Sequence, residues 1–155
     1  MQVSQGVEWA MHICTLLSEA PDGTPVPRRT LAEAYALPEP YLAKYLKRLV
    51  AAGVLTSTSG PRGGYRLAKP ADQTTGLAVV EAVEGTGPTF TCRELRRHGT
   101  VAATREECRE KCAVHTMMDA ADEAWRARLA ETTIADIRRH RPDTLRARAA
   151  ETLGW

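Results

Sequence analysis

Apolar residues recur at helical spacing over much of this chain, and the first such stretch covers residues 3–19. Its predicted buried face follows the i, i+3, i+4, i+7 pattern and consists of Val7, Ala10, Met11, Cys14 and Leu17. Prolines and a glycine between residues 19 and 27 then end the helical pattern. The pattern predicts further short helices at residues 28–37, 41–53 and 76–85.

The remaining segments differ in periodicity. Two short strands, at residues 54–58 and 64–68, are predicted on either side of a glycine-rich turn, and Gly53 is expected to end the preceding helix in the left-handed conformation. Residues 86–113 have little periodicity and are predicted to form an irregular loop. A long helix is predicted over residues 114–139, with one apolar side formed by Met117, Met118, Ala121, Trp125, Leu129, Ile134 and Ile137.

The order of these elements predicts a mainly α fold with a small β-hairpin. Helix, tight turn, helix and two-stranded hairpin together form a winged helix-turn-helix domain, placed at residues 1–85. Residues 86–113 then form a cysteine-containing loop, residues 114–139 a dimerisation helix, and residues 140–155 a basic tail without assigned structure. Dimerisation is expected because the apolar side of the long helix exceeds what a small winged domain can cover; an intrachain helical bundle is the alternative.

Composition limits the class of protein. Hydrophobic residues make up 43% and charged residues 26% of the chain, as in an ordinary globular protein, and the net charge of +2 does not indicate nucleic-acid binding unless basic residues cluster locally. No run of about 18 apolar residues is present, so we expect a cytoplasmic protein without a membrane partner. In a reducing compartment, cysteines at positions 14, 92, 108 and 112 favour metal or redox chemistry over structural disulfides.

The third predicted helix has the pattern of a DNA recognition helix. Leu42, Leu46 and Leu49 recur on its core-facing side. Its outer faces carry hydroxyl and basic groups that can bind phosphates or base edges, namely Tyr41, Lys44, Tyr45, Lys47 and Arg48. Arg62, at the tip of the hairpin, is placed to reach a minor groove. The alternative is a solvated amphipathic helix followed by an ordinary hairpin.

One long motif is specific to a family. The segment "YLAKYLKRLVAAGVLTSTSGPRGGYRLAKP" at residues 41–70, with "VVEAVEG" and "TTIADI" further on, resembles the Rrf2 family of bacterial regulators, which includes the IscR and NsrR types. The resemblance covers about residues 1–137. It implies a dimeric winged-helix repressor or activator, in which an iron–sulfur cluster often controls DNA binding. Ser59 departs from the basic residue that the family often places before the Gly-Pro of the wing, and Arg62 is expected to take that role.

The cysteine spacing is atypical for this family, whose cluster-bearing members usually space three cysteines evenly in this loop. Here fifteen residues separate Cys92 from Cys108, three separate Cys108 from Cys112, and His115 follows. If residues 108–112 formed a helical turn, the two thiols would share one face. Cysteine and histidine ligands suit an iron–sulfur cluster or zinc, and a free-thiol or disulfide switch is the third possibility.

Glu8 and His12 lie four residues apart in the first helix. Together with Thr15 and Glu19 they form a narrow polar stripe among apolar residues, so both are expected to be half-buried. The simpler interpretation is a polar stripe with a weak Glu–His pair. Some members of the family complete their cluster with non-cysteine residues from the first helix of the partner subunit. By that resemblance, Glu8 and His12 bind one iron of a 2Fe–2S cluster between two subunits.

In this ligand set Cys108 and Cys112 bind the other iron, and Trp9 is assigned as a redox relay. The competing set is Cys92, Cys108, Cys112 and His115, all from one loop. Cys14, on the core-facing side of its helix, is interpreted as a packed apolar residue.

These features predict a redox-sensing transcriptional regulator, of repressor type, that binds a double-stranded DNA operator as a homodimer. The alternatives are a metal-free thiol-switch repressor, a zinc-containing repressor and a cluster-based electron-transfer protein. The chain has no second cofactor motif, no G-x-G-x-x-G segment and no recognised catalytic motif, so we do not expect an enzyme.

Overall fold

A computed structural model describes residues 3–21 and 24–155. The first two residues of the predicted winged domain, and Asp22 and Gly23 in the break after the first helix, lie outside the described residues. The chain divides into two compact units. Residues 87–128 form the first, here called the cysteine unit, and the described residues up to Thr86 together with residues 129–155 form the second, here called the winged unit.

The predicted mainly α fold with one small hairpin is confirmed. In chain order the elements are α1 (Gln5–Leu17), α2 (Arg28–Ala34), α3 (Glu39–Ala51), β1 (Leu55–Thr58), β2 (Gly64–Leu67), α4 (Gly76–Glu84), α5 (Ala113–Glu131), α6 (Ile134–Arg139) and α7 (Asp143–Leu153). A 3-10 turn at Leu95–Arg97 precedes α5. None of the described helices is both long and apolar enough to cross a membrane.

The core of the winged unit follows the apolar faces that the sequence predicts. Leu42, Leu46 and Leu49 on α3 are buried, and they share the core with apolar residues of α1, α2, β1, α4 and α6, including Ile13, Leu16, Leu31, Leu55, Val79 and Ile134. Cys14 is fully buried on α1, and this burial raises the pKa of its thiol to about 12. The prediction that Cys14 is a core residue is therefore confirmed.

Glycines shape the wing. Gly53 follows α3 with a φ of +71°, and the Val54 N–H donates to the Leu49 carbonyl at 2.9 Å, which is the left-handed helix end that the sequence predicts. The strands β1 and β2 pair antiparallel, and Val26 extends this pairing through two N–H···O bonds of 2.9 Å with Tyr65. A Cβ on Gly64 would overlap the backbone of Val26, so this close approach requires glycine.

The prediction of one continuous helix at residues 114–139 is wrong. Helix α5 ends at Glu131, and α6 begins at Ile134 after a capping box. In this box the Thr133 hydroxyl accepts from the Asp136 N–H at 3.1 Å, while the Asp136 carboxylate accepts from the Thr133 N–H at 2.8 Å. The Ile134 N–H also donates to the Thr74 carbonyl at 2.8 Å. These bonds satisfy backbone N–H groups at the break that a continuous helix would pair with carbonyls four residues earlier.

Two further segments can be compared with the sequence. Residues 87–112 are irregular apart from the 3-10 turn, as the lack of periodicity predicts. The basic tail, which had no assigned structure, forms α7 after Pro142. Apart from the break at residues 132–133, the residues that the family motif and the apolar pattern place in helices and strands lie there, with boundaries shifted by a few positions.

Candidate functional site

The outer face of α3 is accessible. Tyr41 is 66% exposed, Lys44 and Lys47 are exposed, and the leucines of the same helix point into the core. Arg62 is exposed in the turn between β1 and β2. Hydroxyl and cationic side chains on one helix face and on a wing provide the groups that bind phosphate oxygens of a duplex.

Two of the predicted DNA contacts also have contacts within the chain. The Tyr45 ring is half-buried and meets the Trp9 ring of α1 edge-on, with centroids 5.9 Å apart and an interplanar angle of 86°. Arg48 donates from Nη1 to the Val83 carbonyl at 2.6 Å, which connects α3 to the last turn of α4. Both side chains thus hold α3 in place against its neighbouring helices.

An ion pair that the sequence interpretation missed joins the two helices of the helix-turn-helix. Arg28 Nε lies 2.7 Å from Glu39 Oε1, and this hydrogen bond raises the pKa of Arg28 above its ordinary value. A signal was present, because a cation in the first turn of a helix is unfavourable with its dipole, and an acidic partner offsets this. Arg28 begins α2 and Glu39 begins α3, so the pair connects the N-terminal turns of both helices.

The polar stripe of α1 is only partly solvent-facing. Glu8 and His12 are exposed, so the expectation that they are half-buried is wrong. Farther along the helix, Thr15 is buried and donates to the Met11 carbonyl at 2.8 Å, and Glu19 pairs with Arg141 at 2.8 Å. The stripe therefore enters the interior towards its C-terminal end, because residues near Arg141 cover that end of α1.

Trp9 lies between the two exposed candidates on α1. Trp9 is half-buried and contacts Tyr45. The centroid of the His12 ring lies 5.5 Å from that of Tyr35, the residue after α2. A Cβ on Gly6 would overlap the Tyr45 ring, so the glycine allows this ring to lie directly on α1. The turn of α1 that carries Glu8 and His12 is thus in direct contact with the candidate recognition helix.

The three cysteines of the cysteine unit are free thiols and are partly exposed. Two of them accept backbone hydrogen bonds, since the Glu94 N–H donates to Cys92 Sγ at 3.4 Å and the His115 N–H donates to Cys112 Sγ at 3.3 Å. Hydrogen bonds of this kind to cysteine sulfur are among the features that tune iron–sulfur centres.

Residues 108–112 do not form the helical turn that would place both thiols on one face. The Cys108 N–H closes a turn onto the Thr104 carbonyl at 3.2 Å. Cys112 lies immediately before α5, where its carbonyl accepts from the Thr116 N–H at 2.9 Å and its thiol accepts from His115 as an N-cap would. Arg96 binds the carbonyl of Glu107, directly before Cys108, and the carbonyl of Glu110, between the two cysteines, so the segment follows these contacts instead of a helix.

His115, the alternate ligand, lies beside a carboxylate side chain. Its Nε2 lies 3.4 Å from Asp119 Oδ1, and its ring meets Phe90 edge-on. Lys111 also bonds Asp119, with Nζ 2.6 Å from Oδ2. The hydrogen bond from Lys111 lowers the pKa of Asp119 below its ordinary value, and the charge of His115 contributes in the same direction.

The donor types fit an iron–sulfur or zinc centre, although the described residues of one chain do not assemble a full site. Among residues 3–21 and 24–155, no group of three or more His, Cys, Asp or Glu side chains is arranged to hold a metal ion. Accessible thiols on one unit, together with an exposed imidazole and carboxylate on α1, are nevertheless the ligand chemistry that both centres use.

The sequence of this chain is similar to those of known transcriptional regulators. The family model Rrf2, described as iron-dependent transcriptional regulator, matches residues 3–140. The HTH-type transcriptional regulators YwgB of Bacillus subtilis and YffB of Lactococcus lactis are each 26% identical over 137 residues, which is 88% of this chain and 84% and 86% of theirs. The predicted resemblance is confirmed.

Solved structures support the same fold. CymR, the global cysteine regulator of B. subtilis, matches with a TM-score of 0.72 and 21% identity, over 92% of this chain and 99% of CymR. IscR of T. potens matches with a TM-score of 0.69 and 19% identity, over 93% of this chain and 90% of IscR. Both have the winged-helix architecture described above. This chain belongs to the Rrf2 family of DNA-binding transcriptional regulators.

Proposed function

We propose that this chain is a cytoplasmic, homodimeric repressor whose affinity for a double-stranded DNA operator is set by a 2Fe–2S cluster. Cys108 and Cys112 of one subunit and Glu8 and His12 of the other hold the cluster in this proposal. One observation carries it: Trp9, between the two exposed ligands of α1, contacts Tyr45 of the recognition helix. A change at the ligand turn therefore acts directly on the element that reads DNA.

The DNA-binding part of the proposal uses α3 and the wing. Tyr41, Lys44 and Lys47 bind phosphates or base edges from the exposed face of α3, and Arg62 enters the minor groove from the hairpin. Tyr45 and Arg48 bind DNA at the edge of this face while keeping their contacts to Trp9 and Val83. Because lysine and arginine contacts release counterions, operator affinity falls steeply with salt.

The dimer is proposed to form through α5. Among the described residues, none of those in α5 is buried. Val114 and Met117, which have large apolar side chains, each have more than half of their surface exposed. A second copy of α5 would cover them. Two-fold symmetry would also place two recognition helices on the two half-sites of a symmetric operator.

The contact between Trp9 and Tyr45 supports the relay role proposed for Trp9. When bound, a 2Fe–2S cluster supplies a reversible one-electron change of charge next to Glu8 and His12. Trp9 would transmit a movement of this turn to the Tyr45 ring that it contacts, since Gly6 leaves no side chain between the ring and α1. Oxidised and reduced proteins are therefore expected to bind the operator with different affinities.

The second candidate keeps all ligands in the cysteine unit. Cys92, Cys108, Cys112 and His115 hold the cluster or a zinc ion in this version. The contact between His115 and Asp119 favours it, because metal-binding histidines often give their other ring nitrogen to a carboxylate. A metal-free switch is the third version, supported by three free and partly exposed thiols.

The test begins with protein purified without oxygen. The proposal expects a coloured protein with about two iron and two sulfide ions per subunit, and operator affinities that differ between the oxidised and reduced forms in gel-shift titrations. Zinc in a colourless protein supports the zinc version, and neither metal supports the thiol switch. Identical affinities of an iron-loaded protein in both redox states would remove the redox-sensing account.

A further inference from the structure

Arg96 makes more polar contacts than its neighbours in the cysteine unit. Its guanidinium grips the Glu94 carboxylate with two bonds, Nε to Oε1 at 2.7 Å and Nη2 to Oε2 at 3.2 Å. The same group donates from Nη1 to the Glu107 carbonyl at 3.2 Å and from Nη2 to the Glu110 carbonyl at 3.0 Å. The side chain is 28% exposed. One arginine thus joins two segments that are more than ten residues apart.

The two carbonyl contacts lie on either side of a candidate ligand. Glu107 directly precedes Cys108, and Glu110 lies midway between Cys108 and Cys112. No apolar residue of the cysteine unit is buried among the described residues, so hydrophobic packing does not fix this backbone. The contacts of Arg96 therefore hold the backbone on either side of Cys108, together with the Thr104 N–H bond to the Glu107 carboxylate and the Cys108 N–H bond to the Thr104 carbonyl.

The other end of the contact network reaches Cys92. Glu94 has a φ of +50° and ψ of +51°, which is the left-handed region that a residue with a side chain rarely adopts. Such a conformation persists where surrounding contacts hold it. Here the Glu94 carboxylate is held by Arg96, and the Glu94 N–H is directed at Cys92 Sγ. Arg96 thereby connects the segment that carries Cys92, through Glu94, to the segment that carries Cys108 and Cys112.

The positive charge of Arg96 also lies beside the thiol-bearing segment, because the guanidinium bonds the carbonyls of Glu107 and Glu110 on either side of Cys108. The hydrogen bond to Glu94 raises the pKa of the guanidinium above its ordinary value, partial burial opposes the rise, and the charges of Glu94, Cys108 and Cys112 add to it. A fixed cation therefore lies next to the segment that carries the thiol pair. A planar guanidinium can hold a carboxylate and two carbonyls at once, which a lysine ammonium cannot do with the same geometry.

We propose that Arg96 is a positioning residue for the cysteine ligands, which fixes the Cys108–Cys112 segment and supplies a permanent positive charge beside it. The charge role rests on the proposed function, because it requires an anionic centre on the thiols. The positioning role does not, because it concerns the metal-free chain. The two roles respond differently to substitution: Arg96→Lys keeps the charge but loses the forked contacts, and Arg96→Gln loses both.

The positioning role is tested on metal-free protein by amide hydrogen exchange. Both Arg96→Lys and Arg96→Gln should speed exchange of the amides at residues 104–112 by about tenfold, which is the effect of losing charge-assisted hydrogen bonds. Arg97→Gln, the same charge change at the exposed adjacent residue, should leave those amides as in the wild type. Glu94→Gln weakens the ion pair with Arg96 while leaving Arg96 itself in place, and it should also speed exchange of the amides at residues 104–112.

The charge role is tested on iron-loaded protein by a redox titration. A nearby cation favours the reduced, more negative form of a cluster, so Arg96→Gln should lower the reduction potential, whereas Arg96→Lys should stay close to the wild type. Arg97→Gln should shift the potential less than Arg96→Gln does. A potential that falls equally in the lysine and glutamine variants would overturn the charge role.

Wild-type exchange at residues 104–112 in both Arg96 variants would overturn the positioning role. A wild-type protein without iron or sulfide would contradict the proposed function instead. The exchange experiment is informative in either case, so failure of the Arg96 proposal can be distinguished from failure of the cluster proposal.

Discussion

The winged unit and the cysteine unit are stabilised by different means. The winged unit has a continuous apolar core that includes Leu31, Leu42, Leu46 and Ile134, each almost without exposed surface. The cysteine unit has no buried apolar residue in the described part of the chain, and polar contacts around Arg96, Glu107 and Asp119 hold it. One unit is thus fixed by its own packing, whereas the other is free to respond to a bound centre or a partner subunit.

The largest expected effect is a difference in unfolding free energy between truncating a leucine of the winged unit and truncating a leucine of the cysteine unit. Leu46→Ala, at a side chain with no exposed surface, should lower the free energy of unfolding by about 4 kcal/mol, because it leaves a cavity in the core. Leu95→Ala in the cysteine unit, at a residue that is 80% exposed, should change it by less than about 0.5 kcal/mol. Urea denaturation followed by circular dichroism measures both, and equal losses would break the contrast.

A buried ion pair is the next test of how the winged unit is held. Arg141 and Glu19 are only 12% and 7% exposed. Arg141→Ala removes the hydrogen-bonded partner of a buried carboxylate and leaves it only the longer contact with Arg146 at 4.0 Å, so it should cost about 3 kcal/mol of unfolding free energy. Arg29→Ala breaks an exposed pair on α2 and should cost about 0.5 kcal/mol or less. Thermal denaturation measures both losses. If Arg141→Ala lost as little stability as Arg29→Ala, the Arg141–Glu19 pair would not anchor the tail.

The contact between α1 and α3 is probed by adding one methyl group. Gly6→Ala places a Cβ where the Tyr45 ring lies, so it should cost about 2 kcal/mol of stability and weaken operator binding in gel shifts. Gly87→Ala is the matched control, since nothing lies within 4 Å of the Cβ that it adds. Unchanged operator affinity in Gly6→Ala would mean that the position of Tyr45 does not control DNA binding.

The smallest expected effect concerns pH and the capping box at the start of α6. Hydrogen bonds from Thr133 lower the pKa of Asp136 below its ordinary value, so the carboxylate stabilises the fold above the unfolded-state pKa of about 3.9. This stabilisation is lost as the pH falls from there through the folded-state pKa. The stability difference between wild type and Asp136→Asn should therefore shrink on acidification.

Denaturation series at neutral and acidic pH measure that difference. Asp143→Asn, at a carboxylate that is 95% exposed and outside any capping box, controls for the change in net charge. A difference between wild type and Asp136→Asn that stayed constant over the whole range would contradict the assignment of the capping box as its source.

The sequence predicts the winged unit well because its signals are local. The spacing of Leu42, Leu46 and Leu49 identifies the buried face of α3, and Gly53 identifies its end. The break between α5 and α6 was also visible as a capping box at Thr133 and Asp136, but the apolar repeat continuing to Ile137 concealed it.

The sequence predicts the candidate site less well because its geometry is not local. Whether Glu8 and His12 are exposed depends on what packs against α1, and the partner of Glu19 is Arg141, more than a hundred residues away. The role of Arg96 is likewise set by two carbonyls, and carbonyls leave no mark in a sequence pattern. The spacing of the cysteines alone therefore could not identify the contacts that hold them.

The central claim is that each cluster takes ligands from two subunits, and mixed dimers test it most directly. Two variants are compared, Glu8→Ala with His12→Ala in one chain, and Cys108→Ser with Cys112→Ser in another. Each alone should lack iron and visible absorption. Unfolding and refolding them together under anaerobic reconstitution should restore one complete ligand set in each mixed dimer, and hence about half of the wild-type iron in those dimers. Full iron retention by the Glu8 and His12 variant alone would contradict the account and assign the ligands to a single loop.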